Sequence, residues 1–261
     1  MNQKLTRKSS VWTLFRELII SSLVIIILVG LACLFYWHKY DRQSFFIKHL
    51  FYISYIELFW KNPLKNANLR QDERNQEGII NNIAIAYGVK IKSLSENQYV
   101  ISINGQKTDI VIINQPPVQR IIFGDQILFS EDDYALNPEG KEVLLTVGNV
   151  LKKQLLQIKE IQIQGHTDPS PSMKFDSNLY LGALRAIEVF RFLQNNVGID
   201  PTQNLMSATS FGEYKPLQRS DNYAEYNEAQ LVQDNSTQEL RDKNRRIELR
   251  LFYRYKSLHS K

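Results

Sequence analysis

The chain has 261 residues, 43% of them hydrophobic and 23% charged, which suits one domain of ordinary size together with additional segments. Its 32 Lys and Arg against 27 Asp and Glu leave a net charge of +5; this excess is spread along the chain and excludes a concentrated nucleic-acid footprint. The single cysteine, Cys33, excludes an intrachain disulfide and a Cys-based metal site.

The first predicted element is apolar. Leu18 to Trp37 contains no charged side chain, and 20 residues at about 1.5 Å each match the ~30 Å hydrocarbon core of a bilayer. Trp12 and Phe15 before the run, and Tyr36 and Trp37 at its end, suit the two interfaces. The expectation is a cytoplasmic tail over 1–17, a transmembrane helix over 18–37, and the rest of the chain in the periplasm of a bacterial inner-membrane protein. Lys4, Arg7, Lys8 and Arg16 favour this orientation, and Lys39, Arg42 and Lys48 on the other flank reduce the bias. A cleaved signal peptide needs a small-residue exit, which Phe35-Tyr36-Trp37-His38 does not supply. Lipidation would use Gly30-Leu31-Ala32-Cys33, where glycine fits its position badly. Glu17 stands at the cytoplasmic edge of the span. It is either a functional ionisable group or an interfacial partner of Arg16.

Residues 38–97 read as an amphipathic helix followed by a linker region. Phe45, Phe46, Phe51, Tyr52, Tyr55, Phe59 and Trp60 are interrupted by Lys48, His49 and Glu57, so a second span is not expected. Residues 61–77 are polar and suit a linker or an exposed helix; Gly78 to Tyr87 suits a short helix. Over 98–119 the pattern predicts a β-hairpin, Tyr99–Ile103 and Thr108–Ile113 about an Asn104-Gly105 turn, broken by Pro116-Pro117. Arg120–Phe123 and Ile127–Phe129 read as short extended pieces. Asn137-Pro138 opens a helix whose apolar face is Leu144, Val147, Leu151 and Leu155. Glu160–Gly165 alternates as a strand, Asn178 caps a second helix to about Asn195, Leu205–Thr209 is a strand, and Arg246–Tyr253 alternates as the last. The predicted fold class is α+β: a small mixed β-sheet over 120–255, covered by helices on one face. Residues 217–243 read as a long polar insertion, with a flexible surface loop as the default.

Two charges in this framework point to one ligand. Asp168 lies on the loop after a strand and Arg185 on the helix that follows. A carboxylate and a guanidinium together can hold a zwitterion, the first taking an ammonium and the second a carboxylate. Thr167 and Asn178 are candidate supporting contacts, and Arg245 or Arg246 is expected in the same cleft. Each has a plainer alternative: Asp168 as a turn residue before Pro169, Asn178 as a helix cap, Arg185 on a solvated helix face. His166 has no Gly-x-Ser-x-Gly nucleophile motif to serve. The other histidines, His38, His49 and His259, lack ligand spacing. No catalysis, metal or cofactor is expected.

The ordered pieces Ile127–Ser130, Leu136–Gly140, Gly165-His166-Thr167-Asp168, Asn178 with Leu181, Arg185-Ala186, Ser210–Pro216 and Asn244–Glu248 resemble the OmpA-like peptidoglycan-binding domain, over roughly Ile121 to Tyr253. The resemblance implies non-covalent binding of the peptidoglycan peptide stem at its diaminopimelate residue, with Asp168, Arg185, Thr167, Asn178 and Arg245 or Arg246 as contacts. Here the loop after Asp168 is somewhat long, and the 217–243 insertion is a departure. A single span followed by such a domain also resembles the B subunits of ion-driven stators, MotB-like and ZorB-like proteins of flagellar motors and of Zorya anti-phage systems. That likeness implies a homodimer, a MotA-like multi-span partner and proton coupling at an acidic residue, for which Glu17 stands where the family expects Asp. A passive envelope tether, or an OmpA-like lipoprotein without ion conduction, is the alternative.

Overall fold

The computed structural model describes residues 63–103, 109–219 and 226–254. The 18–37 segment, Glu17, Cys33 and the aromatic stretch 41–60 lie outside them. Among the described residues no helix is long and apolar enough to cross a membrane.

Seven strands form one sheet: β1 (Lys92–Ser95), β2 (Gln98–Ser102), β3 (Asp109–Gln115), β4 (Val118–Gly124), β5 (Ile158–His166), β6 (Leu205–Gly212) and β7 (Arg246–Tyr253). Their order is β1-β2-β3-β4-β7-β5-β6. All neighbours are antiparallel except β5 and β6, which are joined by a helical crossover as a parallel pair requires. The sheet is therefore mixed. The C-terminal strand β7 lies between β4 and β5, so the last alternating segment of the sequence becomes a central strand.

The helices are α1 (Pro63–Tyr87), α2 (Asp125–Leu128), α3 (Pro138–Lys152), α4 (Asn178–Phe192), α5 (Glu228–Gln233) and α6 (Gln238–Asn244). Ile247, Leu249, Leu251 and Tyr253 of β7 and Ile161 and Ile163 of β5 face one core with Val143, Leu144, Val147 and Leu151 of α3 and Ala186 and Val189 of α4. Ile79, Ile80, Ile83 and Ala84 of α1 complete it. Each buried aliphatic side chain contributes roughly 1.5–3 kcal/mol. The alternate residues of β7, Arg246, Glu248 and Arg250, lie on the opposite face of the sheet.

Several expectations are corrected. Residues 63–87 form one continuous 25-residue helix, so of the two readings of 61–77 the helix holds from Pro63, and it is not fully exposed. Asp72, Asn75 and Gln76 are buried on α1, at the spacing of one helical face with Ile79, Ile80 and Ile83. Polar residues on a buried stripe hide the apolar period that marks a helix. Ile127 and Leu128 close a single helical turn, α2, and Phe129 makes only an isolated bridge to Leu136. Ser177, not Asn178, caps α4: its side chain accepts from Tyr180 N. Asn137 caps α3 by accepting from Gly140 N at 2.6 Å. The described part of the insertion contains α5 and α6, tied by the buried Asn244, whose Nδ2 donates to Asp234 O and Asn235 Oδ1 and whose Oδ1 accepts from Leu217 N.

Candidate functional site

A cleft of about 500 Å³ opens where the C-terminal end of β5, the start of α4, α2 and the end of α6 converge. Thr167, Asp168, Asn178, Arg185 and Arg245 all line it. Arg246 does not. Alternation along β7 turns it to the other face, where it is fully buried and its Nε donates to Glu248 Oε1 at 2.8 Å.

Close packing of α4 on β5 brings Asp168 and Arg185 to one cleft. A Cβ on Gly165 would lie 2.0 Å from Gly182 O, so only glycine lets the helix approach the strand. Arg185 follows Gly182 by three residues and emerges on the same side of α4. The loop after β5 is fixed locally. Asp168 Oδ1 accepts from Ser170 N at 2.8 Å, and Asn178 Nδ2 donates to Asp168 O at 3.1 Å. The long part of that loop is tied down by Asp132, whose carboxylate accepts from Ser172 Oγ at 2.6 Å and Met173 N at 2.9 Å.

Asp168 and Arg185 do not pair directly. Arg245 is ion-paired with Asp168 through NH1, and its Nε lies 3.5 Å from Asp125 Oδ2. Arg185 NH1 lies 3.2 Å from the same oxygen of Asp125. The result is a run of alternating charge, Asp168–Arg245–Asp125–Arg185, extended at Arg245 by an ion pair to Asp242. Arg185 also donates from Nε to Asp133 O at 2.8 Å and lies 5.1 Å from the centre of the Phe129 ring. Burial pushes the Asp125 carboxyl up, against the pull of Arg185 and Arg245. Burial likewise lowers Arg185 although Asp125 holds its charge. Burial also disfavours charge on Arg245, but Asp125 and Asp168 outweigh it and raise that guanidinium. Thr167 Oγ1 is buried without a hydrogen-bond partner among the described residues.

Asp125 and Phe129 were not legible as site residues. Asp125 reaches the cleft because β4 pairs with β7, opposing Gly124 to Arg246, and because Asp125 N donates to Arg245 O at 3.0 Å. That pairing spans most of the domain and leaves no local signal.

The arrangement is an α+β scaffold with an open cleft in which the carboxylates of Asp125 and Asp168 alternate with the guanidiniums of Arg185 and Arg245, and residues 128–230 match the model of the OmpA family. The chain is thus similar to the OmpA family over the stretch that carries Asp168 and Arg185. Over 131 residues it is 30% identical to Motility protein B of Bacillus subtilis (strain 168), a match covering 49% of this chain and 43% of that protein. The chain therefore spans less than half the length of the curated relative it matches. Among solved structures, a MotB-like protein from Desulfovibrio vulgaris shares the fold with a TM-score of 0.51 and 22% identity, covering 71% of this chain and 99% of that one. The periplasmic domain of Helicobacter pylori MotB aligns with a TM-score of 0.47 at 22% identity, over 60% of this chain and 88% of that one.

Proposed function

We propose that the cleft grips peptidoglycan at the diaminopimelate residue of its peptide stem, and that the chain does so from the inner membrane through the 18–37 segment. The observation that carries this reading is the alternating run Asp168–Arg245–Asp125–Arg185 in an open cleft. A free amino-acid end carries one ammonium and one carboxylate. Inserted beside this run, it meets Asp168 or Asp125 with the first and Arg185 or Arg245 with the second, and adds no net charge. A carboxylate has about four acceptor positions, so Asp168 retains capacity beyond Ser170 N and Arg245. The unpartnered Thr167 hydroxyl is a further group for the ligand.

The likeness to Motility protein B supports a second layer. In it the chain is the B subunit of a MotA/MotB-like stator, motility or Zorya-type defence being the process served. It acts as a homodimer with a MotA-like multi-span partner, and Glu17 takes up and releases a proton.

Co-sedimentation of the detergent-solubilised full chain with purified peptidoglycan tests the first layer. Wild type is expected to sediment and the Asp168→Ala, Arg185→Ala double variant to remain in solution; undiminished sedimentation of that variant overturns the reading. Glu17→Gln tests the second. Loss of motility or phage resistance at normal expression, with sedimentation intact, is the expected result. Retained function makes the chain a passive tether, and an acyl group on Cys33 by mass spectrometry makes it a lipoprotein.

A further inference from the structure

The face of the sheet opposite the apolar core carries a second cleft, of about 490 Å³, lined by Arg120, Lys215, Arg246, Glu248 and Arg250 among others. It lies on β4 and β7 and under the segment that follows β6, away from Asp168 and Arg185.

Its floor is a buried ion cluster. Glu248 is 1% exposed. It accepts from Arg120 Nε at 2.8 Å and NH2 at 2.6 Å, and from Arg246 Nε at 2.8 Å. Burial opposes the Glu248 charge, but Arg246 and Arg120 hold the carboxyl well below its usual range. Arg246 also donates to the Asn244 and Lys215 carbonyls. One carboxylate thus serves two guanidiniums, and Glu248 is the only acid among the described residues lining the cleft.

Lys215, Arg219 and Arg250 add three further cations to the lining. Lys215 Nζ lies 4.4 Å from the centre of the Phe211 ring and makes no hydrogen bond or ion pair among the described residues. Burial, and then Arg250, lower the Lys215 ammonium. Arg250 Nε is buried without a hydrogen-bond partner among the described residues. Behind them His166 is 1% exposed and stacked on Phe211 at 5.4 Å; neither ring nitrogen is hydrogen-bonded among the described residues, and Nε2 lies 3.9 Å from Glu248 Oε1. Burial, and then Arg246, keep it neutral. Among the described residues, Arg120, Lys215, Arg246 and Arg250 against Glu248 leave a surplus of positive charge in a partly desolvated cleft.

We propose that this second cleft is a binding site for a phosphate group, held by Lys215 and Arg250 with the free edge of Arg120. A doubly charged tetrahedral anion matches the charge surplus, and guanidiniums offer it paired donors. Glu248 and Arg246 act as positioning residues that fix Arg120. The site is independent of the peptidoglycan cleft and stands whether or not that cleft binds cell wall.

The test is isothermal titration of the detergent-solubilised full chain at low salt with inorganic pyrophosphate and, separately, with a short-chain phosphatidylglycerol. Pyrophosphate is expected to bind, and Lys215→Ala and Arg250→Ala each to weaken it by about tenfold or more, the loss of one charge-assisted contact. Arg250→Lys is expected to recover part of the affinity, and Asp168→Ala to leave it unchanged. Tighter binding of the phosphatidylglycerol, with the same dependence on Lys215 and Arg250, assigns the phosphate to a lipid headgroup; tighter binding of pyrophosphate assigns it to a soluble phosphate. No binding of either probe, or binding that both alanine variants retain with unchanged melting temperature, overturns the proposal.

Discussion

Arg245 at the end of the segment joining α6 to β7 is ion-paired with Asp168, 77 positions earlier in the chain, and its Nε also reaches Asp125. A guanidinium that no strand or helix shares with either acid therefore holds both. It separates Asp168 from Arg185, so a ligand meets a continuous run of alternating charge instead of an isolated pair. Arg245→Ala is expected to weaken peptidoglycan co-sedimentation by about tenfold or more, while leaving the Arg185–Asp125 contact in place. A double-mutant cycle with Asp168→Ala checks it: the two losses should be strongly non-additive.

Asp125 is the hub of this run and the residue least visible beforehand. Removing it leaves the buried Arg185 guanidinium, only 3% exposed, without its acidic partner. Asp125→Ala is expected to destabilise the domain by about 3–5 kcal/mol and to lower affinity for peptidoglycan. Asp125→Asn should keep part of the stability by retaining an oxygen acceptor. Chemical denaturation alongside co-sedimentation separates the two effects.

Gly165→Ala acts by sterics alone. The new methyl would sit 2.0 Å from the Gly182 carbonyl oxygen, which forces α4 away from β5. A cost of about 1–3 kcal/mol or more follows from overpacking. Because Arg185 rides on α4, peptidoglycan affinity should fall together with the melting temperature.

Asp72 supplies a pH dependence. It is buried on α1, its Oδ2 has no partner, and burial, with Glu73 adding, pushes its carboxyl up to about 6 from an ordinary value of 3.8. Since the folded-state value is raised, the folded protein holds the proton more tightly than the unfolded chain. The penalty is fully present above pH 6 and disappears as pH falls towards 4. Asp72→Asn should raise the melting temperature at pH 7.5, and the advantage over wild type should vanish near pH 4.

Glu248→Gln should be among the most destabilising single changes. It leaves Arg246, fully buried, and Arg120 without their carboxylate, a loss of about 3–5 kcal/mol. The expected result is a large drop in denaturation midpoint with unchanged denaturant slope.

Local pattern carried much of the framework. Asn137-Pro138 marked the start of α3, and strict alternation marked β7, because caps and period-two burial are properties of neighbouring residues. The Ser177 cap was displaced onto Asn178 because both residues are capping types and only backbone geometry separates them. The first half of α1 stayed open between linker and exposed helix because Asp72, Asn75 and Gln76 occupy its buried face, stabilised in part by a distant strand: Gln119 Nε2 donates to Gln76 O at 2.9 Å.

The sequence by itself determined that Asp168 follows a strand, that Arg185 rides the next helix, and that one strand-loop-helix unit carries both charges. Short-range spacing suffices for that, since β5, its loop and α4 are contiguous. Only the tertiary structure decided between Arg245 and Arg246. One residue of register on β7 sends the first into the cleft with Asp168 and Asp125 and buries the second against Glu248 on the opposite face. That choice depends on the pairing of β7 with β4 and β5, strands 80 or more residues earlier in the chain, and no local pattern encodes which face a neighbouring pair of arginines will take.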